Sequence, residues 1–281
     1  MNSLNKKSSK ILIIALLIIF CFDTLLWIEI LKEPKNVEAD FLDVGQGDAT
    51  LLKFPFSGQI LIDAGDGQKI KTALSQVQGY FNKDIDVWIL SHANLDHYGG
   101  FLKLLETNPP RIFIYNGFDS EGDSFQALKK LLHAKEIPIL VLAAGDKIKI
   151  GNSRFDIIWP TANFLRKDLN DTSLVLRFVD HNHSILFTGD VSAKILSSLS
   201  NIQSEILKVS HHGSKTGITA SVLDMIKPRI ALIGVGFNNR FGHPSVEVTS
   251  LLKKIGSQIF RTDLNGTIKI HFDENLFIET Q

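Results

Sequence analysis

Histidine and aspartate residues cluster at three points of the sequence, each directly after a short apolar stretch. The first cluster is His92-Ala93-Asn94-Leu95-Asp96-His97, the second is Asp190, and the third is the pair His211-His212. Imidazole and carboxylate groups are ligands of Zn²⁺ and Mn²⁺. Because loops at strand ends can aim polar side chains into one crevice, the clusters together predict a shared site for divalent metal ions.

Each of these residues has a simpler interpretation when it is taken alone. Asp96 and Asp190 could cap the helices predicted after them. A single histidine at a strand end is usually a hydrogen-bonded surface or core residue. That interpretation is given to four histidines, His133, His181, His183 and His271. For the three clusters, the conjunction of residue types, each after a strand, favours metal binding over these alternatives.

The elements that must position the clusters are short strands broken by Gly and Asp, with amphipathic helices between them. Strands are predicted at residues 39–44, 49–54, 60–64, 87–91, 111–115, 154–159, 174–179, 184–188, 206–209, 230–233 and 267–272. Helices are predicted at residues 69–81, 99–106, 123–134, 191–199, 220–226 and 245–254. This order predicts a layered α/β protein with largely mixed or antiparallel sheets.

The N-terminal segment has the composition of a membrane anchor. An apolar stretch at residues 11–31, interrupted by Asp23 and Glu29, follows Lys6, Lys7 and Lys10. Its length approaches the roughly 20 residues that span a bilayer. Lysines before the span place the N-terminus in the cytoplasm.

Four regions follow from this interpretation. They are a cytoplasmic N-terminus (residues 1–10), a single transmembrane anchor (11–31), a linker (32–37) and an extracytoplasmic domain (38–281) at the cell membrane. A cleaved signal peptide is the alternative. It is disfavoured because the small-x-small site Val37-Glu38-Ala39 lies far beyond the apolar core.

Composition narrows the classes of site and partner. Cys21 is the one cysteine, so an intrachain disulfide and a cysteine-based zinc site are excluded. The first 39 residues hold five of the 30 basic side chains and four of the 30 acidic ones. The rest of the chain therefore has a net charge of −1. That charge does not attract a polyanion. Nucleic acid would therefore have to bind through a local patch or through metal ions.

The motifs resemble those of a known family. His92-Ala93-Asn94-Leu95-Asp96-His97 is similar to the His-x-His-x-Asp-His signature of metallo-β-lactamase-fold hydrolases. Seven further motifs resemble the extracytoplasmic domain of ComEC-type competence proteins. They are FLDVGQGDA (41–49), LIDAG (61–65), NDTSL (170–174), LFTGD (186–190), LKVSHHGS (207–214), FGHP (241–244) and RTDLNGT (261–267). The resemblance implies an αββα sandwich with one or two divalent ions, Zn²⁺ or Mn²⁺, at one edge between the sheets.

The resemblance also implies a role for each site residue. The implied ligands are His92 and Asn94 for the first metal, Asp96 and His97 for the second, Asp190 as the bridge, and one of His211 and His212, with His212 favoured. Asp63 and Asp48 are expected behind the ligands, where Asp63 would hold the metal loop through hydrogen bonds.

The sequence departs from the family at the first metal. Asn94 stands where relatives mostly have His or Asp, and a neutral amide oxygen is the weaker ligand. No histidine lies near Asn170, where another ligand is usual. Asn170 and Asp171 could supply oxygens there or form a local turn. The first metal is therefore expected to bind weakly.

For function, the resemblance implies a phosphodiesterase or nuclease acting on DNA, working beside a separate channel subunit. Asp96 or Asp190 would orient the attacking water, and His243 would protonate the leaving group or bind phosphate. His243 could instead be a plain turn residue. Two other functions stay open: hydrolysis of cell-envelope phosphodiesters such as choline-decorated polymers, and a non-catalytic binding module that retains the fold.

Overall fold

Two β-sheets face each other in the computed structural model, which describes residues 2–32, 34–55, 58–79 and 83–280. The strands are β1 (Glu38–Phe41), β2 (Thr50–Phe54), β3 (Gly58–Ile62), β4 (Val87–Ile89), β5 (Ile112–Tyr115), β6 (Ile139–Val141), β7 (Lys147–Ile150), β8 (Ser153–Trp159), β9 (Val175–Asp180), β10 (His183–Phe187), β11 (Ile206–Lys208), β12 (Ile230–Ile233), β13 (Gln258–Arg261), β14 (Ile268–His271) and β15 (Phe277–Thr280). Their order is β15-β14-β1-β2-β3-β4-β5-β6 in the first sheet and β13-β12-β11-β10-β9-β8-β7 in the second. Both sheets are mixed, as predicted.

The described residues also form helices, most of which cover the outer faces of the two sheets. They are α1 (Asn2–Lys32), α2 (Ile70–Val77), α3 (Leu95–Leu104), α4 (Asp123–Ala134), α5 (Ala193–Ser198), α6 (Ala220–Ile226), α7 (Val246–Lys254) and α8 (Thr262–Asn265). Helices α2, α3 and α4 pack on the first sheet, and α5, α6 and α7 pack on the second. The αββα sandwich is confirmed.

Side-chain alternation along the strands sends apolar groups to both faces of each sheet. In β10, Ile185 and Phe187 enter the core between the sheets, whereas Leu186 enters the core under α5 and α6. In the first sheet, Ile62 faces the other sheet and Leu61 faces the helices. These inner strands are therefore buried on both sides, which explains their almost continuous apolar sequences.

The first helix has the length and composition of a membrane span. Within α1, residues Ser9–Ile28 have a mean hydropathy of 2.8, and the side chains there are not packed against the domain. Among the described residues, this is the one helix long and apolar enough to cross a bilayer. The span lies close to the predicted one at residues 11–31.

Element boundaries were predicted unevenly. Helices α4 and α6 match their predicted bounds, while α3 begins at Leu95 rather than at residue 99. The end predicted for the second helix, residue 81, lies outside the described residues. Strands β6, β7, β13 and β15 and the short α8 were not predicted. All four of these strands lie at sheet edges, where exposure to solvent weakens the apolar signal.

Candidate metal centre

Loops from both sheets converge at one edge of the sandwich. Strands β3 and β4 run parallel in the first sheet, so Asp63 and His92 emerge at the same end. Strands β10 and β11 run parallel in the second sheet, so Asp190 and His212 emerge together as well. The three sequence clusters therefore meet, as the analysis of strand ends predicted.

Three imidazole rings surround the carboxylate of Asp190. The distances to Asp190 Oδ2 are 4.0 Å from His92 Nε2, 3.4 Å from His97 Nε2 and 3.6 Å from His212 Nε2. The carboxylate of Asp96 completes the group, with Oδ2 3.4 Å from His212 Nε2. Two carboxylates and three imidazole nitrogens thus face a common centre.

The other nitrogen of each ring is held by the protein. His97 Nδ1 is 2.8 Å from Asp63 Oδ2, His212 Nδ1 is 2.8 Å from the carbonyl oxygen of Gly234, and His92 Nδ1 is 3.1 Å from Ser91 Oγ. These contacts fix each ring so that Nε2 points to the centre, as the groups behind metal ligands commonly do.

Polar atoms at the centre lack hydrogen-bond partners within the described chain. The atoms concerned are buried: they are Nε2 of His92, His97 and His212, and Oδ1 of Asp190. Buried polar groups are normally paired, because leaving them unpaired costs free energy. A divalent cation would satisfy all four atoms at once. The residues present therefore fit the metal that their chemistry predicts.

The charges at the centre are strongly coupled. Burial lowers the pKa of His212, but the Asp190 and Asp48 carboxylates outweigh burial and raise that pKa to about 10. Burial likewise opposes protonation of His97, while Asp190 and Asp63 raise its pKa well above the usual value. The site therefore attracts cations, and at neutral pH protons compete with a metal for these two rings.

The remaining candidate ligands, His92, Asp190 and Asp96, are unprotonated at neutral pH. Burial and the neighbouring His97 lower the pKa of His92 to about 3, so this ring is neutral. Burial raises the pKa of Asp190, but His97 and His212 outweigh it and hold that pKa well below its usual range. Burial raises the pKa of Asp96, but the adjacent His212 ring, 3.4 Å away, and His97 outweigh burial and lower it overall.

Asp48 lies behind the rings rather than at their centre. It belongs to a close group with His97, Asp190 and His212, whose potential ligand atoms lie within 4.8 Å of one another. Its oxygens, however, face the Nδ1 atoms, at 3.9 Å from His97 and 3.5 Å from His212. Since Asp63 and Gly234 already hold those Nδ1 atoms, we assign Asp48 to the supporting layer.

Lys208 is the site residue that the sequence analysis missed. Its ammonium group is buried, pairs with Asp48, donates to the carbonyl oxygen of Gly189 at 3.0 Å and lies 3.7 Å from Asp190 Oδ1. Burial lowers the pKa of Lys208, but the Asp48 and Asp190 carboxylates raise it overall, so the group is charged. Strand alternation could have identified it, because Lys208 shares the core-facing side of β11 with Ile206.

The loop before α3 is fixed by backbone contacts. Asn94 has the extended backbone of the helix N-cap, which places Asp96 in the first helical turn, so Asp96 itself is not the cap. Ala64 N donates to His97 O at 2.7 Å. A Cβ on Gly47 would lie 2.1 Å from Asp96 O, so only glycine permits this approach.

The His211-His212 turn adopts an uncommon backbone conformation. The two residues have φ values of 52° and 53°, in the left-handed region that side chains usually avoid. The turn aims His212 inward and leaves His211 Nε2 3.9 Å from Asp190 Oδ2, at the mouth of the site. Backbone strain of this kind, on the order of 1–3 kcal/mol per residue, is concentrated at functional sites.

The region expected to hold the first metal contains two hydrogen-bonded amide side chains, those of Asn94 and Asn170. Asn94 Nδ2 donates to Asn170 Oδ1 at 2.6 Å, which engages the Asn170 oxygen and leaves the Asn94 oxygen for a ligand role. Asp171 Oδ1 accepts from Ser192 N, the N-cap residue of α5, at 2.8 Å. Asp190 is therefore not the cap of this helix either. Asn170 Oδ1 and Asp171 Oδ1 are thus both engaged in hydrogen bonds within the protein.

His243 lies in the outer part of the site. Its ring is 5.8 Å from that of His211, centroid to centroid. Partial burial and the charges of His211 and His212 lower the pKa of His243, so the ring is neutral at pH 7.

Residues 42–236 match the family model of the metallo-β-lactamase superfamily. The chain belongs to this superfamily. Its fold is also that of solved structures at low identity. Igni18, a metallo hydrolase from Ignicoccus hospitalis, has a TM-score of 0.55 at 12% identity, covering 84% of this chain and all of that one. Zn²⁺-bound PqqB from Methylobacterium extorquens has a TM-score of 0.51 at 9% identity, and the match covers 81% of this chain and 88% of that one.

Curated relatives support the narrower resemblance to competence proteins. ComE operon protein 3 of Bacillus subtilis is 30% identical over 84% of this chain and 33% of its own length. Recombination protein 2 of Haemophilus influenzae is 29% identical over 91% of this chain and 31% of its own length. The chain thus spans about a third of the relatives that it matches, and the similarity to the ComEC-type domain is confirmed.

Unequal occupancy of two metal positions is the prediction that follows from Asn94. Asn94→Asp adds a negative charge beside the weaker position and should tighten its ion by about tenfold, since charge attraction is strong at a partly buried site. Calorimetric titration of Mn²⁺ into the metal-free chain measures both affinities. Asn275→Asp, in the exposed turn before β15, is the matched control. Two equally tight ions in the wild type, unchanged by Asn94→Asp, would contradict this account.

Proposed function

We propose that this chain is a membrane-anchored, extracytoplasmic, metal-dependent phosphodiesterase that cleaves DNA. The observation that carries the proposal is the convergence of unpartnered Nε2 atoms from three buried histidines on the Asp190 carboxylate. Such a group of buried, unsatisfied polar atoms is costly without a metal ion, and a metal ion supplies the chemistry of a hydrolase.

The ligand set defines the chemistry available. Zn²⁺ or Mn²⁺ suits its mixed imidazole and carboxylate donors. The ligands would be His92, Asp96, His97, Asp190 and His212, with Asn94 adding a neutral oxygen for a second ion. A bound ion of this kind activates water and takes up negative charge on a phosphoryl oxygen.

Asp96 and Asp190 have different surroundings, which suggests different tasks. The side chain of Asp190 is 3% exposed and is surrounded by rings, so it acts as a ligand. The side chain of Asp96 is 32% exposed. Its lowered pKa keeps it ionised, and it can accept a hydrogen bond from the attacking water and orient it.

His243 is better suited to bind phosphate than to protonate the leaving group. A general acid must carry the proton that it transfers, and the lowered pKa of His243 leaves the ring neutral near pH 7. A neutral imidazole still donates one N–H hydrogen bond. His211, at the mouth of the site, can supply a second donor to the same phosphate.

The relatives supply the argument for DNA as the substrate. One is named ComE operon protein 3 and the other Recombination protein 2, and this chain matches about a third of each. A DNA-channel subunit is the partner that we propose for uptake. The chain itself has no net charge, so the metal ions would supply much of the attraction for the phosphate backbone.

Cleavage of single-stranded DNA tests the proposed activity. The detergent-solubilised chain with Mn²⁺ should cleave an end-labelled oligonucleotide, and EDTA should abolish the reaction. Asp190→Asn removes the bridging charge and should slow cleavage at least about a hundredfold, since metal-assisted charge stabilisation is worth several kcal/mol. Asp224→Asn, on the exposed face of α6, should leave the rate unchanged. Equal rates for wild type and Asp190→Asn would place the reaction elsewhere.

Membrane topology has its own test. Lys6, Lys7 and Lys10 precede the apolar stretch at residues 11–31, which predicts that the domain lies outside the cytoplasmic membrane. Protease added to intact spheroplasts should digest the domain, followed through a C-terminal epitope, while a cytoplasmic marker stays intact. Full protection of the epitope until the membrane is lysed would contradict the proposed orientation.

A further inference from the structure

A solvent-exposed loop with two phenylalanines lies beside the metal centre. We call residues 236–243, between β12 and α7, the aromatic loop. Phe237 is 73% exposed and Phe241 is 52% exposed. Large apolar side chains exposed together next to a polar site mark a candidate contact surface for a ligand or partner.

The rings of the aromatic loop are arranged as flat, nearly parallel surfaces. The Phe241 and His243 rings lie 18° from parallel with centroids 5.9 Å apart, and the guanidinium of Arg240 lies 5.0 Å from the Phe241 centroid. Arg240 is exposed and has no carboxylate partner among the ion pairs of the described residues. A planar aromatic surface with a free guanidinium offers both stacking and attraction for an anion.

This surface is continuous with the metal centre. From Phe241 the contacts lead to His243, then to His211 at 5.8 Å between ring centroids, and then to Asp190 at 3.9 Å from His211 Nε2. A group stacked on Phe241 would therefore lie within a few side chains of the atoms that hold the metal.

Asn239 holds the loop in this shape. Its Oδ1 accepts from Phe241 N at 3.2 Å and from His243 N at 3.0 Å. Its Nδ2 donates to His243 O at 2.6 Å and to Gly236 O at 3.1 Å. Four hydrogen bonds from one side chain fix the backbone on both sides of Phe241, so the ring is presented by an organised turn.

The position of the loop argues against insertion into the membrane of the anchor. The chain enters the domain at Glu38, which pairs with Lys53 and His271. Strand β1 then runs towards Phe41 and the loop that carries Asp48 to the metal centre. The aromatic loop is thus at the opposite end of the sandwich from the anchor, where a solvent-borne ligand can reach it.

We propose that Phe241, with Phe237, Arg240 and His243, forms a stacking platform for unpaired bases of a single-stranded nucleic acid whose phosphate lies at the metal centre. The inference rests on the proposed phosphodiesterase function and narrows its substrate class. Aromatic rings accept any base by its face, while paired bases in a duplex are not available for stacking. The platform therefore selects single strands without reading sequence.

Binding measurements without metal test the platform separately from catalysis. Fluorescence anisotropy of the full chain in detergent, with EDTA, compares a labelled 12-nucleotide thymidine oligomer with an abasic oligomer of the same length and charge. Because both oligomers carry the same phosphates, their difference reports the bases alone. The wild type should bind the thymidine oligomer at least about tenfold more tightly, the lower part of the range for stacking on aromatic side chains.

Matched variants assign that difference to the loop. Phe237→Leu/Phe241→Leu should remove the preference for bases and leave binding of the abasic oligomer unchanged. Phe241→Trp should keep the preference. Phe277→Leu changes an equally exposed phenylalanine (58%) at the anchor end of the sheet and should have no effect.

Two outcomes would overturn the platform. One is equal binding of thymidine and abasic oligomers by the wild type, or an unchanged preference in the double variant. The other is loss of binding to phosphatidylglycerol vesicles in the double variant with oligonucleotide binding intact, which would make the loop a lipid contact. Failure of the proposed function would give a different result. The chain would then still prefer oligomers with bases, but it would not cleave DNA with Mn²⁺.

Discussion

The constraint on which the site depends is the burial of an ionised carboxylate, Asp190, among three imidazole rings. An isolated buried charge is very costly, and it persists only where opposite charges or a metal compensate for it. His97 and His212 supply that compensation as protonated rings, and a divalent cation supplies it more strongly. The same carboxylate therefore accounts for the raised pKa values of the rings and for the affinity for metal.

The sandwich is the framework that makes this arrangement possible. Asp190 and His212 follow strands of one sheet, and His92 and His97 follow a strand of the other. The centre therefore forms only where the two sheets meet. Lys208 lies below it as a fixed positive charge between Asp48 and Asp190. Its ammonium group offsets part of the negative charge without occupying the centre, which leaves the Nε2 atoms free. The strained His211-His212 backbone then presents one histidine inward and the other towards substrate.

Much of this could be predicted from sequence because the relevant signals are local. Ligand residues directly after apolar strands predicted the site, and alternating strands and helices predicted the layers. The parts that could not be predicted depend on tertiary contacts. Helix α3 begins four residues early because Asn94 takes the N-cap backbone and the turn packs against the Gly47 loop. For Lys208, strand alternation indicates only a core-facing position beside Ile206, and the reason for a charged residue there, its pairing with Asp48 and Asp190, is a tertiary contact. The stack formed by Phe241 and His243 depends on the Asn239 turn, for which spacing alone gives no signal.

Proton release on metal binding tests the central claim most directly. His97 and His212 have raised pKa values, about 10 for His212, so both rings are protonated at pH 7 and must lose their protons to bind a metal. Calorimetric titration of Zn²⁺ or Mn²⁺ in buffers of different ionisation enthalpy measures the protons released. We predict that the more tightly bound ion releases more than one proton at pH 7 and that its affinity falls as the pH is lowered. In Asp190→Asn, fewer protons should be released. Tight binding with no proton release and no pH dependence would contradict the account.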